Sequence, residues 1–158
     1  MDDIARELGV SKKTIYKHFA DKRDLVSKVL EEDIRQDTKA CLACYSSNSN
    51  AIQKMIDISR HISRQHKDLN PTLIFDVQKY YPSAWAKMEE YQTKFISSII
   101  IQNIEEGQNE ALYRTEIEPK IAAAMYDTLT KGMIKQLIQG DNNNDIKTLQ
   151  QQMVSNHI

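Results

Sequence analysis

Basic and hydroxyl side chains cluster between residues 11 and 23, where the chain reads SKKTIYKHFADKR. Five lysine and arginine residues and one aspartate give this stretch a net charge of +4, whereas the whole chain carries −1. Ammonium groups bind phosphate oxygens, and lysine and threonine side chains also form hydrogen bonds with base edges. The stretch therefore predicts a local nucleic-acid contact on an otherwise nearly neutral protein.

Two short helices joined by a glycine turn are predicted to position these side chains. Ile4, Ala5 and Leu8 recur at i, i+1 and i+4, which places them on one apolar face of a first helix. Gly9 follows at the helix end, where a positive φ costs little because glycine lacks a Cβ atom. Val10 is then predicted to fill the gap beside the turn.

A second helix is predicted to begin after Ser11, because serine is a preferred N-cap residue. Ile15 and Phe19 are four residues apart in the sequence and are expected to point inward. The polar and basic residues around them then face outward. This arrangement is typical of a helix-turn-helix, whose second helix enters the DNA major groove.

The continuation YKHFADKRDL extends the pattern, and the stretch resembles the signature of the tetracycline-repressor (TetR) family of bacterial transcriptional regulators. That signature reads roughly I-A-x-x-x-G-V-S-x-x-x-h-Y-x-H-F-x-x-K-x-x-L, where h is hydrophobic. Its fixed positions are occupied by Ile4, Ala5, Gly9, Val10, Ser11, Ile15, Tyr16, His18, Phe19, Lys22 and Leu25.

The resemblance implies a cytoplasmic, all-α homodimer that represses transcription from a palindromic operator in double-stranded DNA and is released by a small effector. The implied DNA-binding residues are Ser11, Lys12, Lys13, Thr14, Tyr16, Lys17, His18 and Lys22. Lys13 and Thr14 are the expected base readers, with Ser11 and Lys22 on phosphates. Family members also carry a helix before the motif, so a further helix is expected ahead of Met1, and weak DNA binding is expected without it.

The rest of the chain is predicted to be helical, because 158 residues contain only four glycines and three prolines and no sustained β-type alternation. Helices are predicted at 22–45, 51–66, 71–81, 82–106 and 118–139, with another from residue 145. The polar stretch 46–50 is the expected linker. The predicted domains are 1–45, a helix-turn-helix with its connecting helix, and 46–158, a ligand-binding and dimerisation domain.

Aromatic side chains in the second domain are candidates for an effector cavity, since ligand pockets are mostly apolar with a few polar anchors. Each of these residues also fits an ordinary core position, and the resemblance is what favours a pocket. The expected effector is a small apolar or aromatic molecule. The candidate lining residues are His61, Phe75, Tyr80, Trp85, Met88, Tyr91 and Tyr126.

Apolar residues recur every four positions along the helix at 118–139, and a similar spacing follows in the last predicted helix. Both helices are more apolar than one small monomer easily buries. In the family, the last two helices pair with their mates in a four-helix bundle, and packing onto the chain's own core is the alternative. The predicted dimer residues are Ile121, Met125, Leu129, Met133, Leu149 and Met153.

Residues capable of catalysis or metal binding form no recognisable site in the sequence. No G-x-S-x-G, glycine-rich phosphate loop or H-E-x-x-H is present. Cys41 and Cys44 form a lone CxxC and are expected to pack between helices, and His61 and His66 lie on different sides of one helix. No enzyme activity, cofactor, metal or membrane span is therefore expected. The alternative function is a ligand-binding or interaction dimer whose remnant helix-turn-helix no longer reads DNA.

Overall fold

A computed structural model describes residues 1–65 and 70–139, and every regular element in these two ranges is helical. This confirms the all-α prediction. The helices are α1 Asp2–Glu7, α2 Lys12–Tyr16, α3 Lys22–Tyr45, α4 Ala51–Gln65, α5 Pro71–Tyr80, α6 Pro82–Glu90, a π-helical segment Tyr91–Ile96, α7 Ser97–Asn109 and α8 Pro119–Ile138.

Two helix starts at predicted positions are fixed by capping residues. Asp21 accepts a hydrogen bond from the Asp24 backbone N–H at 2.8 Å, so α3 begins at residue 22 as expected. Asn70 caps α5 through the Thr72 N–H at 2.9 Å, and Pro71 occupies the first turn, where its missing N–H is not needed. These local signals were sufficient to place both starts.

The long helix predicted from Pro82 is present, but its middle is π-helical. Helix α6, the π-helical segment and α7 follow one another without a break from residue 82 to residue 109. The π-helical turns shift the side chains on either side relative to a regular α-helix, and such segments are frequent at functional sites. Periodicity alone predicted no such change of register.

Two apolar clusters form the core of the helical body. Ile100 and Ile104 of α7 pack against Ala122 and Ala123 of α8. The small side chains of these alanines thus allow α7 and α8 of the same chain to pack closely. The second cluster joins α3, α4 and α7 through Cys41, Ile58 and Ile99.

Tyr113 and Gly107 make a close contact at the end of α7. A Cβ atom added to Gly107 would lie 2.2 Å from the Tyr113 ring, so the ring occupies the space that any other residue would fill. The Tyr113 hydroxyl donates to Asn103 Oδ1 at 3.0 Å, and both residues are buried. Gly107 is therefore required for packing rather than for ending the helix.

Two side chains near the end of the first helix are exposed. Leu8, which the pattern placed on one face with Ile4 and Ala5, is 66% exposed and lies in the C-cap position of α1. The prediction that Val10 fills the gap beside the turn was wrong, since its side chain is 40% exposed. Only Ala5 of that predicted apolar face is buried.

Some sequence predictions concern residues that lie outside the described ranges. These are the predicted last helix from residue 145, the interface residues Leu149 and Met153, and His66.

Candidate nucleic-acid interface

The helix-turn-helix is built by one turn and one cap. Gly9 has a φ of +63°, the left-handed conformation that the turn requires. The Ser11 hydroxyl accepts a hydrogen bond from the Thr14 N–H at 3.1 Å and starts α2. Ala5 and Ile15 are the buried residues of α1 and α2. Phe19 lies beyond the end of α2 and is only partly buried.

The eight predicted DNA-binding residues are all exposed, so the structure leaves them accessible on one short segment. Two of the hydroxyls are already engaged with each other, because Ser11 Oγ and Thr14 Oγ1 lie 2.8 Å apart. Lys12 forms an ion pair with Asp2 of α1. A phosphate that binds Lys12 must therefore compete with this carboxylate.

A polar contact that the sequence did not indicate ties the segment just after α2 to α3. Lys28 donates to the His18 carbonyl oxygen at 3.1 Å and to Asp24 at 2.9 Å, and its ammonium lies 5.5 Å from the centre of the Phe19 ring. Asp24 also accepts from the Ala20 N–H at 2.9 Å. The hydrogen bond from Lys28 is the main cause that lowers the pKa of Asp24, so this carboxylate is ionised at neutral pH.

A second contact connects α3 to α6 close to this point. Lys87 of α6 donates to Ser27 Oγ at 3.0 Å and forms an ion pair with Glu31. The hydrogen bond and charge of Lys87 lower the pKa of Glu31. Helix α3 is thus held by polar side chains on both sides of its first three turns.

The predicted effector residues are dispersed, apart from two that share one partner. His61 Nε2 lies 2.7 Å from Asp37 Oδ1, and the Tyr91 hydroxyl donates to Asp37 Oδ2 at 2.5 Å. Burial and the hydrogen bond to Asp37 raise the pKa of Tyr91. Burial also raises the pKa of the neighbouring Cys41 thiol to about 12.

The other five predicted effector residues do not join this cluster. Phe75 and Tyr80 are 39% and 54% exposed on α5. Trp85 and Met88 are partly buried on α6, and Tyr126 packs against the α7–α8 cluster. Asp37 itself was missed, although it shares a face of α3 with Cys41 at i, i+4 spacing. A carboxylate on an otherwise apolar helix face was the available signal.

An open groove of about 400 Å³ lies at the other end of the body, and none of the seven predicted effector residues lines it. Lys54 is buried there and forms an ion pair with Glu106 at 2.5 Å. The lining residues are Tyr45, Gln102, Glu105, Glu106, Asn109 and Glu110. Three carboxylates make this groove unsuited to an anionic ligand.

The predicted dimer residues on α8 divide into an exposed set and one buried member. Ile121, Met125 and Leu129 are 62%, 59% and 41% exposed, whereas Met133 is buried within its own chain. Exposed large apolar side chains in one row are typical of an interaction surface.

The described part of the chain contains neither a candidate metal site nor a candidate membrane span. Within residues 1–65 and 70–139, no three His, Cys, Asp or Glu side chains are grouped so that they could hold a metal ion. No helix in the same ranges has the length and apolar character needed to cross a bilayer.

Comparison with known proteins begins with the first two helices. Residues 1–29 match the family described as bacterial regulatory proteins, tetR family. The chain is 27% identical over 127 residues to the uncharacterized HTH-type transcriptional regulator YvaF of Bacillus subtilis (strain 168), covering 80% of this chain and 66% of that protein. It is 28% identical over 119 residues to the HTH-type transcriptional regulator SAR2658 of Staphylococcus aureus (strain MRSA252), covering 65% of this chain and 64% of that protein. The chain thus spans just under two thirds of either relative.

A solved structure extends the similarity from the helix-turn-helix to the whole fold. The transcriptional regulator FadR from Bacillus subtilis, in complex with stearoyl-CoA, superposes with a TM-score of 0.71 at 20% identity, covering 98% of this chain and 84% of that one. At this identity the likeness shows a shared fold. The relatives are transcriptional regulators rather than enzymes.

Proposed function

We propose that this chain, whose helix-turn-helix is of the TetR type, is a transcriptional repressor of the bacterial cytoplasm. It binds a palindromic operator in double-stranded DNA as a homodimer and is released by a small effector. The observation that carries the proposal is the exposed polar and basic face of α2, whose only buried residue is Ile15. Residues 1–45 read DNA, and residues 46–158 bind the effector and dimerise.

The contacts with DNA divide into two classes. Lys12, Lys17 and Lys22 bind phosphates and set the position of α2 in the major groove, together with the Ser11 hydroxyl. Lys13 and Thr14 lie in the first turn of α2 and contact base edges, as is usual for the start of a recognition helix. Tyr16 and His18 complete the exposed surface.

Salt dependence tests the phosphate contacts. If each lysine neutralises one phosphate in each of two subunits, the logarithm of the binding constant falls with the logarithm of salt concentration by about 0.9 per phosphate. Lys22→Ala is expected to weaken binding to all sequences alike and to make this slope shallower. Lys39→Ala removes an exposed lysine farther along α3 and is expected to leave the slope unchanged.

Sequence preference tests the base contacts. Thr14→Ala is expected to relax the preference at one operator position without changing the salt slope. Selection of bound fragments from genomic DNA supplies the operator for both assays. Binding that does not depend on salt, or selected fragments without a palindrome, would contradict the repressor proposal and favour the alternative dimer without DNA reading.

The homodimer is proposed to form through α8. The exposed row Ile121, Met125 and Leu129 is the surface that supports this, with Leu149 and Met153 as further expected contributors. A stable interface buries on the order of 1,600 Å² in total. Met133 would stabilise α8 from within its own chain.

Light scattering with a charge substitution tests this interface. Leu129→Glu would bring two unpaired carboxylates into an apolar interface near the twofold axis, and a cost of about 3–5 kcal/mol is expected for such a buried charge. Lys120→Glu, at an exposed position in the first turn of α8, is the control and is expected to leave the dimer intact. A wild-type monomer at micromolar concentration would end this part of the proposal.

The effector is proposed to bind among α4, α5 and α6 and to act through α3. Helix α3 begins directly after the helix-turn-helix and contacts both α4 and α6. A small tilt of α3 changes the separation of the two recognition helices, which must lie about 34–36 Å apart to enter successive major grooves. An apolar or aromatic molecule fits the side chains proposed for this site.

Fluorescence of Trp85, the only tryptophan, provides the binding assay. Aromatic compounds and stearoyl-CoA, the ligand in the FadR structure, are the first probes. An effector that releases DNA must bind the DNA complex more weakly by the same factor, typically about 5–150-fold. Trp85→Phe should abolish the signal while DNA release persists. Probes that alter Trp85 fluorescence but never operator affinity would contradict coupling through α3.

A further inference from the structure

Asp37 joins three helical segments through its two carboxylate oxygens. It is 9% exposed and lies on α3. One oxygen lies 2.7 Å from His61 of α4, and the other accepts from the Tyr91 hydroxyl, at the start of the π-helical segment, at 2.5 Å. The two oxygens thus hold α3 against both α4 and the π-helical segment.

The surroundings of this cluster make its hydrogen bonds costly to lose. The apolar cluster of Cys41, Ile58 and Ile99 lies beside it, with Ile62 and Phe95 packed against that cluster. A buried carboxylate that loses one partner must find another or move toward water. A change at Tyr91 or His61 is therefore expected to displace the part of α3 that carries Asp37.

The remainder of α3 transmits such a displacement toward the recognition helix. Between Asp37 and Lys22 the helix spans about 22 Å, so a tilt of about 5° at Asp37 moves its start by about 2 Å. The hydrogen bonds of Lys28 with the His18 carbonyl and of Asp24 with the Ala20 N–H hold the segment just after α2 on the first turns of α3. The recognition helix consequently follows the start of α3.

We infer that Asp37 is a positioning residue, which sets the place of the recognition helix relative to the helical body through its hydrogen bonds with His61 and Tyr91. Its relevance to DNA reading rests on the proposed function, but its effect on geometry does not. Displacements of one to two ångströms between packed helices are typical of regulatory transitions.

The chain offers a matched pair of variants for the test. Tyr91→Phe removes the hydroxyl that donates to Asp37, and Tyr113→Phe removes the hydroxyl that donates to buried Asn103. Both substitutions delete one oxygen atom and one hydrogen bond, and the loss of unfolding free energy is expected to be somewhat larger for Tyr91→Phe, because its acceptor is a carboxylate. Only the first lies against α3, and only the first should change the geometry.

Spin labels at positions 17 and 120 report that geometry without DNA. Lys17→Cys and Lys120→Cys are introduced together in a Cys44→Ser background that leaves only buried Cys41. Mixed with an excess of unlabelled protein, so that labels on two subunits of the proposed dimer do not meet, the chain gives an electron–electron distance between the end of α2 and α8. Tyr91→Phe is expected to shift or broaden the distribution, by about 2 Å for a tilt of about 5°. Tyr113→Phe is expected to leave it unchanged. Equal distributions for both variants would overturn the inference.

DNA binding then separates this inference from the proposed function. Two operators are compared, one with the selected spacing of half-sites and one with an extra base pair between them. The ratio of their affinities should differ between the Tyr91→Phe protein and the wild type by about fivefold or more, the lower end of typical coupling. Tyr113→Phe should keep the wild-type ranking of spacings. If the wild type shows no palindromic preference, the repressor proposal fails, and the label distances still decide the role of Asp37.

Discussion

The helix-turn-helix head, residues 1–21, and the helical body that follows it are held together by different kinds of interaction. In the head, α1 and α2 bury only Ala5 and Ile15 between them, and Leu8 is left 66% exposed. In the body, two apolar clusters connect α3, α4, α7 and α8. The head depends on a glycine turn, side-chain caps and polar contacts with α3, whereas the body depends on packing.

Because of this difference, stability and DNA binding are expected to depend on different parts of the chain. Burial of apolar area supplies most of the folding free energy, so the body is expected to account for the unfolding transition. The head contributes little area and can open locally at lower cost. A substitution in the body should therefore change the melting of the chain, and one in the head should change mainly local order and DNA binding.

The largest effect is expected in the body, at Ile104. This side chain is fully buried between α7 and α8, and Ile104→Ala should lower the unfolding free energy by about 2–5 kcal/mol. Leu42→Ala, at a position 45% exposed on α3, should change it by less than about 0.5 kcal/mol. Urea unfolding followed by circular dichroism measures both, and equal losses would refute the placement of the core.

A truncation in the head should have a smaller and more local effect. Ile15 is 5% exposed, and Ile15→Ala should reduce amide-exchange protection at residues 12–19 by about tenfold or more, with little change at α7. The melting temperature of the body should remain near that of the wild type. Loss of protection throughout the chain would show that head and body unfold together.

Removal of the Ser11 cap should destabilise α2 by less than the Ile15 truncation does. Ser11→Ala deletes the oxygen that accepts from the Thr14 N–H and should destabilise α2 by about 1 kcal/mol. Ser11→Asn restores an acceptor at the same position and should recover most of that loss. Amide exchange at Thr14 measures both variants, and a cap role is excluded if alanine and asparagine behave alike.

The smallest effect is the pH dependence of the contact between Lys87 and Glu31. Lys87 lowers the pKa of Glu31 below its usual 4.5, so the contact's stabilisation is present above that pH and is lost as the pH falls through the lower folded value. The amide-exchange protection of α3 in Glu31→Gln should thus be lower than in the wild type at pH 7 and equal to it in acid. Glu89→Gln, an exposed position on α6, is the control. Amide exchange in α3 gives the measurement, and a constant difference across pH would contradict this assignment.

The sequence by itself determined the helix-turn-helix and most helix boundaries. Asp21, Ser11, Asn70 and Pro71 act on neighbouring residues, so their effects can be derived from composition and spacing. The inward position of Ile15 followed from the same local pattern and is confirmed. The roles of the exposed side chains in DNA binding stay predictions.

Only the tertiary structure decided how α3 is joined to the other helices of the body. Asp37 meets partners 24 and 54 residues away, and Lys87 reaches Ser27 across 60 residues. The π-helical segment that begins at Tyr91 and the exposure of Leu8 also depend on packing between helices. Local periodicity describes which face of a helix is apolar. It cannot specify which distant polar group will meet a carboxylate, because that depends on the angle and register at which two helices pack.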